Sequence, residues 1–81
     1  MGYIVKEEDS QAGEVTRRGP FVTEQEARMA LGNLVEQAYD FDPQLATANV
    51  RQEVEDAVRD GHKDCFDAKD NLVCRYTIEQ E

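Results

Sequence analysis

The chain has 81 residues, 40% hydrophobic and 33% charged, and its 18 acids against 9 Lys plus Arg give a formal net charge of -9. A chain of this length buries only about 60 to 65% of the surface its unfolded form exposes, so the core is modest and leaves little room for a deep substrate pocket. The charge repels phosphate backbones and anionic lipid, which argues against direct nucleic-acid binding and membrane-surface attachment.

MGYIVKEED has no basic region followed by an apolar run, so no secretory signal is expected, and Lys6 stands where a myristoylation signal after Gly2 wants Ser or Thr. No stretch approaches the roughly 18 apolar residues of a membrane span. The expectation is one soluble, cytoplasmic domain over residues 1–81, its two cysteines free in a reducing compartment.

Residues 1–22 read as a hairpin. Strands at Tyr3–Glu7 and Glu14–Arg18 flank the polar connection DSQAG, where Gly13 supplies the turn, and Gly19 with Pro20 is expected to break the ladder because Pro has no donor. A first helix is predicted over residues 23–41. In VTEQEA the Thr23 hydroxyl can accept from the Glu26 N–H while the Glu26 carboxylate reaches back to the Thr23 N–H, a capping box. Ala27, Ala30, Leu31, Leu34, Val35 and Ala38 then recur at helical spacing as one buried stripe, and Phe41 is expected to fold back on the core before Asp42 and Pro43 end the run.

A second helix falls within residues 44–61, its apolar side set by Val50, Val54, Ala57 and Val58, with Gly61 placed for a left-handed C-cap. Residues 62–81 read as a second hairpin around the turn AKDN, with Leu72, Cys74, Tyr76 and Ile78 on the buried face. The fold class is therefore α+β, ordered ββααββ, an antiparallel sheet of about four strands with two helices packed on one face.

Centring the second turn on Lys69 and Asp70 sets Cys65 opposite Cys74. Two apposed thiols on an inner face pack as small hydrophobes; a strained cross-strand disulfide and a metal site with His62 and Asp64 or Asp67 are the alternatives. Zinc sites pair their ligands in short spacings such as C-x2-C, which this chain lacks, and DAKDN lacks the ligand alternation of a calcium loop. No cofactor is expected. His62 beside Gly61 has no nucleophile at a known motif spacing, and no phosphate loop is present, so the chain does not read as an enzyme.

Charge is the remaining signal. Residues 23–61 carry nine acids and three bases, against four and three before them and five and three after. Glu53, Asp56 and Asp60 form a stripe spanning about 10 Å of helix, with Arg51 and Arg59 around Glu55 on the other flank, so the stripe is predicted to be unpaired and able to imitate a phosphate backbone. Glu36, Asp40 and Asp42 extend the same field. On the sheet, Phe66 and Val73 are predicted to pair on the face away from the helices, exposed or covered by Tyr3 or Val5.

The expected function is a non-enzymatic acidic binding module or inhibitor that occupies a basic surface of a partner protein, including one that binds nucleic acid. Small acidic inhibitors of phages and mobile elements, anti-CRISPR and anti-restriction proteins among them, share this size and charge, a likeness of composition with no motif. A self-associating structural or regulatory subunit, using the Phe66 and Val73 face, is the second expectation. A thiol- or metal-dependent protein centred on Cys65 and Cys74 is the third.

Overall fold

The computed structural model describes residues 2–45 and 49–81. Strand β1 (Tyr3–Asp9) pairs with β2 (Glu14–Phe21), then come α1 (Glu24–Phe41), α2 (Val50–Asp60), β3 (His62–Phe66) and β4 (Leu72–Gln80). The two hairpins join through β1 and β4 into one antiparallel sheet of order β2-β1-β4-β3, with the ββααββ order predicted.

Gly13 closes the first turn at φ 70, and the Asp9 carboxylate accepts from the N–H groups of Gln11 and Ala12, both at 3.0 Å. The strand does not stop at Gly19 and Pro20. It runs on to Phe21, with Tyr3 opposite Phe21 and the register slipping between Tyr3 and Val5. β2 is an edge strand and the slip is a bulge, the two places where a sheet tolerates a missing donor. The Gly19–Pro20 peptide is cis.

The Thr23 hydroxyl accepts from the Glu26 N–H at 3.1 Å as predicted, whereas the Glu26 carboxylate takes the N–H of Val22, 3.2 Å away, and not that of Thr23. Ala27, Leu31 and Val35 are fully buried, with Ala30, Leu34 and Ala38 packed beside them. α2 begins later than predicted: Gln44 lies in a turn, the Leu45 N–H donates to the Asp42 carbonyl, and Asn49 caps the helix by accepting from the Gln52 N–H. The part of the predicted span at 46–48 lies outside the described residues. Gly61 closes α2 in the left-handed conformation, φ 74.

The helices meet where Gly32 is buried on α1; a Cβ there would stand 2.6 Å from Cγ2 of Val58. Glycine sets how closely α2 can approach. α2 then lies over β3, while α1 lies over β1 and β4 and only skirts β2. Arg28 ties the helices together, donating to the carbonyls of Val58, at 3.1 Å, and of Arg59.

In the second hairpin the turn is one residue longer than predicted. Asp67 faces Asn71 across a three-residue loop, and Asp70 takes the left-handed conformation at φ 62. The Asp67 carboxylate accepts from the N–H groups of Lys69 and Asn71 at 2.8 and 2.9 Å. Phe66 therefore pairs with Leu72, and a bulge at Val73 restores the register so that Cys65 pairs with Cys74. The longer turn and the bulge cancel, which is why the cysteines are opposed although the intervening geometry differs.

The bulge also corrects the predicted Phe66 and Val73 patch. The extra residue turns Val73 inward beside Cys74, leaving it 4% exposed, while Phe66 stays outside at 46%. Tyr3 and Val5 do not cover Phe66, since both pack on the helix side.

Candidate functional site

The two faces of the sheet carry charge differently. On the open face, Lys6 contacts Glu8 at 2.9 Å and Glu79 at 3.6 Å, Arg17 reaches Glu79 at 3.5 Å, and Arg75 reaches Asp64 at 2.9 Å. Three bases meet three acids, so this face has little net field.

The predicted acidic stripe on α2 is likewise paired. Lys63 of β3 contacts Glu53, and Arg59 contacts Asp56 at 3.2 Å and Asp60 at 2.9 Å, while the Gln52 amide donates to Asp56 at 2.9 Å. Lys63 points inward because it shares strand parity with Cys65. Arg59 turns to the acids at its own end of the helix, leaving Arg51 on Glu55 at 3.4 Å. Each acid of the stripe thus has a cation beside it, two cations serving three carboxylates, contrary to the expectation from spacing.

Among the described residues, carboxylates without a cation in contact gather instead beside the exposed strand β2. A cleft of about 550 Å³ opens there, lined on one side by Glu7, Asp9, Glu14, Thr16 and Arg18 of the first hairpin. Asp9 pairs with Glu14 and Glu7 with Thr16 across the ladder, so these side chains form rows on the helix-facing side of the sheet. Leu34, Gln37, Ala38 and Phe41 of α1 make the other wall with Asp42 and Pro43, and Val73, Cys74 and Tyr76 form the floor. Four carboxylates and one guanidinium thus surround an apolar base.

Phe41 stands at the rim, 83% exposed, and does not fold onto the core as predicted. It continues the Leu34 and Ala38 stripe by one helical step, past the end of the packed layer and onto the cleft. Asp42 is extended (φ -99, ψ 111), and the last turn of α1 carries no basic residue, so the partial negative charge of the helix end is left uncompensated beside it. A reciprocal amide pair, Gln11 to Gln44 at 2.7 Å and Gln44 to Gln11 at 3.0 Å, clamps the first turn to the loop after α1.

Beneath the cleft Tyr39, Cys65, Cys74, Tyr76 and Glu7 stand close enough to influence one another's protonation. Burial, then the proximity of Cys74 and Glu7, pushes the Tyr76 hydroxyl well above its ordinary range. Burial does the same to Tyr39, helped by Cys65 and Glu53. Both tyrosines therefore remain proton donors at neutral pH.

Of the predicted site residues, only Asp42 and Val73 meet in this cleft. Glu36 and Asp40 are exposed on α1, Glu53, Asp56 and Asp60 belong to the paired stripe, and Phe66 lies on the open face. Glu7, Asp9, Glu14 and Arg18 were not anticipated. The signal for them was parity: in YIVKEED, Glu7 and Asp9 share the face of Val5, so acids stand at inward positions where a covered strand would place apolar residues.

His62 and Asp64 stand an odd number of residues from Cys65 along β3, on the other face, and among the described residues no three His, Cys, Asp or Glu side chains converge as a metal site. Among the described residues, no helix is long and apolar enough to cross a membrane. No family model, curated protein or solved structure matches this chain.

Proposed function

We propose that the protein is a non-enzymatic acidic binding module whose cleft takes a basic, amphipathic segment of a partner protein. The observation that carries this reading is the cleft itself, where Glu7, Asp9, Glu14 and Asp42 ring an apolar base with Phe41 exposed at its edge. Carboxylates steer and orient a cationic segment, and burial of its apolar residues against Leu34, Ala38 and Phe41 supplies the affinity. A partner whose basic surface serves nucleic acid, as for an inhibitor, falls within this class, and a cytoplasmic setting belongs to the same reading.

Backbone NMR titration with a peptide alternating Arg and Leu tests it. The expected result is shifts confined to β1, β2 and the end of α1, diminishing as salt screens the carboxylates. Shifts centred on α2, or on Phe66 and the open sheet face, would replace this reading with the helical stripe or with self-association.

A further inference from the structure

Cys65 and Cys74 are direct partners across β3 and β4, both free and buried, at 0% and 8% exposure. Cross-strand partners hold their Cβ atoms about 4.5 to 5.5 Å apart, and a disulfide takes about 3.5 to 4.5 Å, so closure asks for a small approach. β3 is a five-residue edge strand and can supply it. The two thiols differ in access: Cys74 lines the cleft, whereas Cys65 lies behind it against Tyr39.

We propose that Cys74 and Cys65 form a reversible dithiol–disulfide site that exchanges with small cationic disulfides entering through the acidic cleft. Cys74 attacks one sulfur of the external disulfide as a thiolate; a Cys74 mixed disulfide forms, the external S–S bond breaks, and one small thiolate leaves and is protonated. Cys65, after losing its proton to solvent, attacks the Cys74 sulfur, forms the Cys65–Cys74 bond and releases the second small thiol. The protein dithiol is oxidised and the external disulfide is reduced to two thiols. The Cys65 thiol, with Tyr76, holds Cys74 below the usual thiol range against burial and the opposing carboxylates of Glu7 and Asp42, while Cys65, beside Cys74 and buried, is pushed above it. Attack by Cys74 and resolution by Cys65 follow from access, since Cys74 and not Cys65 lines the cleft.

Selectivity comes from Glu7, Asp9, Glu14 and Asp42, which the reagent must pass. They repel anionic disulfides and concentrate amine-bearing ones. No partner protein is required, so this inference stands apart from the peptide-binding reading.

Native protein is treated with cystamine, neutral hydroxyethyl disulfide and anionic glutathione disulfide, each rate being divided by that of mercaptoethanol with the same reagent. The expected order is cystamine, hydroxyethyl disulfide, glutathione disulfide, with at least about a tenfold spread at low salt that contracts at high salt. By mass, the product has lost two hydrogens and keeps no adduct, and dithiothreitol restores it. Cys65→Ser should trap the cystamine adduct on Cys74, and Cys74→Ser should leave Cys65 unmodified in folded protein. Equal normalised rates for the three reagents, or rates that equal the global unfolding rate measured on the unsubstituted chain, would overturn the proposal without reference to either variant. An adduct retained on the unsubstituted chain would overturn the resolving role of Cys65.

Discussion

On α2, Glu53, Asp56 and Asp60 each touch a cation, while Glu7, Asp9, Glu14 and Asp42 line the cleft with Arg18 as the base among the lining residues. The contrast follows from packing. α2 sits over β3, whose Lys63 reaches up to Glu53, whereas α1 lies mainly over β1 and β4 and the inward residues of β2 stay exposed. Spacing along one helix records only same-element neighbours, so it misses Lys63 of β3 on Glu53, and it leaves open which of its near acids Arg59 takes: Asp56 and Asp60, not Glu55. A carboxylate's availability is decided by what the fold places across from it.

The largest effect that separates the two regions is in packing. Leu31→Ala, at a fully buried position of α1, should lower unfolding free energy by about 2 to 5 kcal/mol in urea denaturation. Phe41→Ser, on the same helix at 83% exposure, should change it by less than about 0.5 kcal/mol. A large loss at Phe41 would mean that the rim is core and the cleft is closed in solution.

Gly32→Ala comes next. Helix propensity favours Ala by about 1 kcal/mol, but the added methyl would lie 2.6 Å from Val58, so a net loss of about 1 to 2 kcal/mol is expected. A gain in melting temperature would show that α2 can yield and that the contact between Gly32 and Val58 is not limiting.

The acids should divide the same way. Glu53→Gln removes the partner of half-buried Lys63 and should cost about 1 kcal/mol, while Glu14→Gln in the cleft should leave stability equal or slightly higher through reduced self-repulsion. Equal losses from the two would erase the distinction.

The smallest effect concerns the second turn. The Asn71 N–H, with that of Lys69, holds the Asp67 carboxyl below the ordinary aspartate range. A lowered folded-state value contributes stability that is complete above the unfolded pKa of about 3.9 and is lost as pH falls through the folded value. Carbon-detected titration of Asp67 should therefore show a midpoint below the ordinary aspartate value of about 3.9, and Asp67→Asn should flatten the acid limb of the stability curve slightly.

Much of the fold was legible because its signals are local. The Thr23 cap, the Ala27 to Ala38 stripe, Gly61 and the alternation through Cys74 and Tyr76 each follow from residues within a few positions of one another. The turn at Asp67 and the bulge at Val73 were not legible, since an Asp at φ 62 competes with glycine and a bulge leaves no composition mark. Their cancellation preserved the cysteine pairing but inverted Val73. Of the cleft, Asp42 was in view; the parity of Glu7 and Asp9 with Val5 marks them as inward, but that this inward position is open, and that Glu14 joins them, depends on β2 being left exposed, which no strand-length window contains.

The central claim, that the cleft and not the α2 stripe is the binding surface, meets its most direct test in two triple variants of equal charge change. Asp9→Asn with Glu14→Gln and Asp42→Asn neutralises the cleft while retaining the side-chain acceptors at Asp9 and Asp42 that cap the turns. Glu53→Gln with Asp56→Asn and Asp60→Asn neutralises the stripe. Both leave the same net charge, so whole-molecule steering is matched and a difference in affinity for the Arg and Leu peptide reports location alone. The account predicts at least about tenfold weaker binding for the cleft variant, near 1.4 kcal/mol, and less than about threefold for the stripe variant in calorimetry at low salt. The reverse order, or equal weakening in both, would contradict it.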